Sequence, residues 1–222
     1  MKDNREILKE ILNVLKEEEL LENIILVGSW AIYFYHEIFA NFDLSIRTTD
    51  IDFYVPIPSN FKDKFGIIQS FRAINYDVRM DTLTNKVVFF SPDEFELEFI
   101  TGLTRQHLST VRLGNTPIYA ESLPYLNLYN DQPLNHSFEG MTIRLASPAA
   151  YVLQKLLILH LRNKKTSKDV ESLTYVLTYI IHQPKLLEEL KSMAKVLSKK
   201  AKRTITRNAK TFQILKILDY VT

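Results

Sequence analysis

Cysteine is absent from this sequence of 222 residues, which excludes disulfide bonds and thiolate metal sites. Glycine is scarce, with five residues, so Gly28 and Gly102 are expected to serve specific backbone conformations. No apolar run approaches the roughly 20 residues that a membrane span needs, and the charged N-terminus predicts an amphipathic helix rather than a signal peptide. These absences are compatible with a reducing cytoplasm, which is the location we expect.

The strongest pattern begins with an apolar run, Ile24–Val27, which ends at Gly28-Ser29. A segment with helical spacing follows, for which Ser29 is the predicted N-cap. A second apolar run then carries Asp50 and Asp52 at alternate positions, so both carboxylates point to the same face of a strand. Two like charges on a mostly buried strand need a compensating cation, unless both aspartates lie at a solvated strand end.

This order of strand, Gly28-Ser29, helix and strand with two alternate aspartates resembles the nucleotidyltransferase superfamily typified by DNA polymerase beta and the antibiotic nucleotidyltransferases. The resemblance implies that Gly28 and Ser29 hold the β- and γ-phosphates of a nucleoside triphosphate. It further implies that Asp50 and Asp52 are catalytic and hold divalent ions, Mg²⁺ or Mn²⁺. Mg²⁺ suits such a pair because it binds one or two carboxylates together with substrate phosphates.

A third carboxylate is expected on the segment 94–101, where glutamates alternate with apolar residues. The pattern predicts a strand with one apolar and one acidic face. In the superfamily the third carboxylate lies on a neighbouring strand and precedes apolar residues, so the resemblance implies Glu98 as the third catalytic and metal-binding residue. Glu96 is the alternative because alternation places it on the same face. The simpler interpretation is an edge strand with a solvated acidic face.

Basic residues are predicted to contact the nucleotide. Arg47 directly precedes the acidic strand, and pairing with a carboxylate or contact with a phosphate are equally compatible roles. Lys155 stands within an apolar helical run, so it either extends outward or points into a cleft. Together with Ser147 and Lys168-Asp169 it resembles bacterial nucleotidyltransferase-type toxins of abortive-infection and toxin–antitoxin systems. There the lysine contacts phosphates and the aspartate shapes the active site. Because the spacing between Lys155 and Asp169 is short, the alternative is that Asp169 is only a helix-start residue.

The order of elements predicts an α+β fold, in which a mixed β-sheet flanked by helices is followed by a C-terminal helical region. Composition changes at residue 147, so we predict a catalytic domain over 1–146 and a helical domain over 147–222. Further predicted elements are a helix over 61–73, a hairpin of 76–81 with 86–90, and strands near 118–120, 126–128 and 141–145.

The segment 191–210 contains eight lysine and arginine residues and no acidic residue. Such a segment attracts phosphate backbones, so it is a predicted docking surface for RNA such as tRNA. The alternative is a solvated helix face.

These patterns lead to one functional prediction: metal-dependent transfer of a nucleoside monophosphate from an NTP to a hydroxyl acceptor. RNA, a protein side chain and a small molecule all remain candidate acceptors. A non-catalytic nucleotide- or RNA-binding module of the same fold is the alternative. The resemblance to the toxins also implies an antitoxin-type protein partner.

Overall fold

The computed structural model describes residues 3–44, 48–57, 61–103, 109–161 and 166–221. Its α-helices are α1 (Asn4–Glu17), α2 (Gly28–Ile38), α3 (Ile67–Ala73), α4 (Pro148–Ile158), α5 (Thr166–Ile181), α6 (Pro184–Lys195), α7 (Lys199–Thr211) and α8 (Leu218–Val221). Its strands are β1 (Ile25–Val27), β2 (Asp50–Val55), β3 (Asp77–Met80), β4 (Val87–Phe90), β5 (Glu96–Gly102), β6 (Thr110–Arg112), β7 (Tyr119–Leu123), β8 (Leu134–Phe138) and β9 (Met141–Leu145). Among the described residues, no helix is both long and apolar enough to cross a membrane.

The strands form one mixed sheet, which confirms the predicted fold class. Its order is β3-β4-β5-β2-β1-β9-β8, with β7 paired to β5 and β6 paired to β7. The central strand β2 is antiparallel to β1 and parallel to β5. In the parallel pair Asp50 lies opposite Glu96 and Asp52 lies opposite Glu98. The two acidic strands are therefore adjacent and in register, with their carboxylates on one face of the sheet.

The two faces of β2 belong to two different cores. Ile51 and Phe53 pack in a core with residues of α1 and α3, whereas Tyr54 packs in a second core with residues of α4 to α7. Alternation places Asp50 and Asp52 on the same face as Tyr54. The carboxylates therefore face the C-terminal helices rather than the N-terminal one.

Helix α4 is the central element of that second core, because its residues are apolar on nearly all sides. It contacts α5, α6 and α7. The Ser147 side chain caps it by accepting a hydrogen bond from the Ala150 N–H at 3.2 Å, and Pro148 follows in the first turn, as predicted. The same core also holds Ile25 and Tyr35 from the N-terminal part, and the domain boundary at residue 147 stays a prediction.

Two predicted elements differ from the structure, and two strands, β6 and β8, were not predicted. The predicted strand near 126–128 lies in a 3-10 helix, Leu126–Asn130, which the left-handed conformation of Tyr125 (φ +63°) introduces. Leu126 and Leu128 are both buried there, so burial in a turn of helix produces the apolar alternation that suggests a strand. Strand β8, antiparallel to β9, was not predicted. Helix α3 begins at Ile67 rather than 61, after Gly66 at a positive φ.

Candidate active site

Asp50 and Asp52 lie half-buried on the face of β2 that meets the C-terminal helices. Asp52 has Val27 of β1 on one side and Glu98 of β5 on the other. Neighbouring strands are about 4.8 Å apart, so the end of β1, the two aspartates and the glutamate of β5 follow one another across the sheet. The alternation of the sequence thus predicts the shared orientation of the two aspartates.

Gly28 joins β1 to α2 in the left-handed conformation, with φ at +66°. A Cβ added there would lie 3.0 Å from Oδ2 of Asp52, so the turn requires glycine both for its backbone and for its close approach to the carboxylate. Helix α2 begins at this residue. The first N–H groups of a helix have no intrahelical partner and attract anions, which makes the turn suited to a phosphate group.

Ser29 lies in the first turn of α2 and on the wall of the same cleft. The prediction that it caps the helix is wrong, because α2 begins at Gly28 and Val27 occupies the cap position without a side-chain hydrogen bond. The positive φ of Gly28 lets the helix begin directly after the strand. Ser29 is therefore a cleft residue at a helix N-terminus, where the sequence predicts a phosphate contact.

Lys155 and Asp169 form a buried ion pair between α4 and α5. The Lys155 Nζ donates to Oδ1 of Asp169 at 2.9 Å, and the two side chains are 12% and 9% exposed. A second link between the helices joins the Tyr151 hydroxyl to Ser172 Oγ at 2.9 Å. Lys155 thus points into the cleft rather than outward, and Asp169 does more than begin a helix.

Sequence reasoning missed a second lysine, Lys86, which directly precedes β4. Its Nζ lies 2.8 Å from Glu98 Oε2 and 2.8 Å from Glu121 Oε2 of β7. Burial alone would lower the pKa of Lys86, but hydrogen bonds from the ammonium to both carboxylates outweigh it and raise the pKa above its usual value. A hairpin was predicted at 76–90, but nothing in the local sequence indicates that it pairs with β5, which is what brings Lys86 to Glu98.

One cleft of about 250 Å³ brings most of the predicted residues together, between the sheet and helices α4 and α5. Its predicted residues are Gly28, Ser29, Asp50, Asp52, Glu98, Lys155 and Asp169, with the alternative Glu96 beside them. Arg47 lies outside the described residues. Ile100, Leu126 and Ile158 add an apolar wall, and an apolar wall beside fixed charges is typical of a small-molecule site.

The acidic residues of the cleft fit a divalent ion that substrate helps to hold. In the ranges that the structure describes, no three His, Cys, Asp or Glu side chains form a group that could hold a metal ion. Mg²⁺ nevertheless binds through one or two carboxylates when waters and substrate phosphates supply its other ligands. Asp50 and Asp52 provide such a pair beside the Gly28 turn, whereas the Glu98 carboxylate is already bonded to Lys86.

The basic segment 191–210 forms the end of α6 and most of α7. Five of its basic residues on α7 are exposed: Lys199, Lys200, Arg203, Arg207 and Lys210. The opposite side of α7 packs on α4, where Asn208 Nδ2 donates to the Leu156 carbonyl at 2.7 Å. The exposed basic residues of α7 therefore do not line the cleft. They belong to a helix that packs directly on α4, which does line it.

The family described as nucleotidyltransferase matches residues 6–197, and no curated protein matches the chain. Among solved structures, the antibiotic-resistance factor ANT(2'')-Ia is 12% identical with a TM-score of 0.48, over 96% of this chain and 94% of that chain. An antigenic nucleotidyltransferase-like protein from Paracoccidioides brasiliensis is 11% identical with a TM-score of 0.48, over 95% of this chain and 92% of that chain. Because the family match spans most of its length, the chain belongs to the nucleotidyltransferase family.

Proposed function

We propose that this cleft transfers a nucleoside monophosphate from an NTP to a hydroxyl acceptor, with a divalent ion as cofactor. The observation that carries the proposal is the position of Asp52, whose carboxylate lies against the Gly28 turn in the cleft that also holds Lys155. A nucleotide needs both an anion-binding turn for its phosphates and carboxylates for the accompanying cation. The cleft supplies the two side by side.

The triphosphate binds at the side of the cleft where β1 passes into α2. The N–H groups of the Gly28–Ser29 turn and the Ser29 hydroxyl hold the β- and γ-phosphates. Lys155 stabilises the negative charge that develops on the leaving pyrophosphate. The ion pair with Asp169 at 2.9 Å fixes the ammonium at the cleft wall, so little reorganisation is needed when the charge appears.

Asp50 and Asp52 would hold Mg²⁺ or Mn²⁺ at the phosphates. When bound, such an ion neutralises phosphate charge and promotes in-line displacement at phosphorus. The acceptor oxygen forms a bond to the α-phosphorus while the bond to the bridging oxygen of the β-phosphate breaks, and pyrophosphate leaves. The proton of the acceptor hydroxyl passes to a carboxylate, a role that we assign to Glu98 because it lies next to Asp52 on the side away from Gly28.

RNA is the acceptor that the surface charge favours. The exposed residues Lys199, Arg203 and Arg207 belong to a segment without acidic residues, which suits a phosphate backbone.

We expect R203E/R207E to weaken RNA binding strongly and to reduce the slope of log affinity against log salt concentration. The control K16E/K62E changes two exposed lysines elsewhere. Equal losses in the two variants would refute docking on α7.

The transfer reaction is tested with each α-labelled NTP, Mg²⁺ and total cellular RNA, with protein and small-molecule acceptors in parallel. Label enters an acceptor with the unaltered chain and does not with D50A/D52A, provided that both show the same folded far-UV spectrum. If the unaltered chain binds NTP but transfers no label to any acceptor, the non-catalytic alternative replaces the enzyme. The antitoxin-type partner and the cytoplasmic location stay predictions.

A further inference from the structure

Lys86 contacts two glutamates that line the cleft on the side opposite the Gly28 turn, Glu98 and Glu121. Across the sheet the order is β7, β5, β2 and β1, so Glu121 and Glu98 are separated from Gly28 by the Asp50–Asp52 strand. Lys86 contacts both glutamates at 2.8 Å. Residues from three segments thus form one charged group, of which the proposed function uses only Glu98.

The members of this group are only partly shielded from water. The side chains of Lys86 and Glu98 are 22% and 21% exposed, and that of Glu121 is 40% exposed. A lysine that bridges two carboxylates neutralises one of their charges and fixes the orientation of both. A divalent ion on the same Glu98 carboxylate would have to displace the ammonium or lie close to it, and like charges repel.

We propose that Lys86 is a positioning residue that holds Glu98 toward the acceptor and occupies the carboxylate that the family resemblance assigns to a metal ion. The inference rests on the proposed function, which places the triphosphate at the Gly28 turn and therefore the acceptor at the opposite side of the cleft, next to Glu98. It leaves Asp50 and Asp52 as the carboxylates of the cleft for one divalent ion, which substrate phosphates help to hold. Glu98 then serves the acceptor and not the metal.

Counting bound Mn²⁺ by electron paramagnetic resonance, with the metal alone as probe, tests the inference without any transfer assay. K86M frees Glu98 and Glu121 for a cation, so we expect it to bind one Mn²⁺ more than the unaltered chain. K86R keeps a cation between the carboxylates and should bind the unaltered number. The double variant K86M/E98Q should lose the additional ion.

E98Q alone gives a second test that does not depend on how well K86M folds. Because Glu98 is not a metal ligand in this account, E98Q should bind as many Mn²⁺ ions as the unaltered chain. A loss of one ion in E98Q would overturn the inference, and so would equal counts in folded K86M and the unaltered chain. Both results concern metal binding only, so they are distinguishable from a failure of nucleotidyl transfer.

A kinetic comparison separates positioning from mere structural support. K86M should lower kcat on the order of 10²-fold, as misplacement of a reacting group does, while the KM for NTP stays within about twofold because Lys86 lies away from the phosphate side. K86R should restore most of the kcat. A rise in the KM for NTP that matches the fall in kcat would instead indicate general damage to the cleft, and would overturn the positioning role.

Discussion

Two lysine–carboxylate groups flank the aspartate pair, and they differ in burial. Lys155 and Asp169 are 12% and 9% exposed and join two helices over a separation of 14 residues. Lys86, Glu98 and Glu121 are 22%, 21% and 40% exposed and come from three different segments around the sheet. A buried ion pair is costly to break, whereas a partly exposed one contributes little to stability. The Lys155–Asp169 pair (the helical pair) is therefore a fixed support for the part of the cleft that binds phosphates. The Lys86–Glu98–Glu121 group (the sheet group) is the one whose ion pairs can be exchanged for other contacts.

The largest effect on stability is expected from Asp169→Ala. This variant removes the carboxylate that accepts the Lys155 ammonium in a buried position, and breaking such a pair costs about 3–5 kcal/mol. Urea denaturation measures the loss. The double variant K155M/D169L replaces both charges by apolar groups of similar size and should recover most of it. If D169A unfolds at the same urea concentration as the unaltered chain, the pair is not a structural support.

An intermediate effect is expected from Gly28→Ala, which alters the phosphate side without changing a charge. An L-residue in the left-handed region costs roughly 1–2 kcal/mol, and the new Cβ would press on Oδ2 of Asp52 at 3.0 Å. The KM for NTP should be higher in Gly28→Ala than in a variant that has the same backbone strain away from the cleft. Gly140→Ala is the matched control, since its φ is +75° and nothing lies within 4 Å of an added Cβ. Equal KM values in both variants would contradict the role of the Gly28 turn.

The smallest effect is expected from the pH dependence of the sheet group. The pKa of Lys86 is raised above its usual value of 10.5, because its hydrogen bonds to Glu121 and Glu98 outweigh its desolvation by burial. Because the pKa of Lys86 is raised in the folded state, the ion pairs of Lys86 contribute fully to stability below about pH 10.5. This contribution to stability is lost as pH rises through the folded-state pKa.

The stability difference between the unaltered chain and K86M should accordingly be about 1 kcal/mol or less at neutral pH and should shrink above about pH 10.5. Thermal melts from pH 7 to 11.5 measure it. K86R stays protonated over this range, so its difference from K86M should persist. If the stability difference between the unaltered chain and K86M instead grew with pH, the pKa of Lys86 would be lowered rather than raised on folding. That result would contradict its contacts with Glu98 and Glu121.

The parts of the site that the sequence predicts are those whose geometry is local. Alternation is enough to put Asp50 and Asp52 on one face, and a glycine after an apolar run is enough to suggest the turn at Gly28. The prediction that Lys155 and Asp169 belong to the site came from the resemblance, since helical spacing alone leaves the lysine free to point outward. Their contact with each other was not predicted. Sequence also predicted most elements up to residue 101.

The contacts that were missed depend on strand order. Lys86 lies 35 residues from Glu121 in sequence, and they meet only because β4 and β7 both pair with β5. No spacing within a single segment encodes that arrangement. The 3-10 helix at Leu126–Asn130 was missed for a related reason, because it packs against α4 and β5, which are distant from it in sequence.

The most direct test of the account is calorimetric titration of each NTP into the chain, with and without Mg²⁺. The account predicts binding that strengthens with Mg²⁺ in the unaltered chain and loses this dependence in D50N/D52N. The control E17Q/E22Q removes two exposed carboxylates outside the cleft and should bind as the unaltered chain does. Mg²⁺-dependent binding of equal strength in D50N/D52N would contradict the claim that these two aspartates and the Gly28 turn form the nucleotide site.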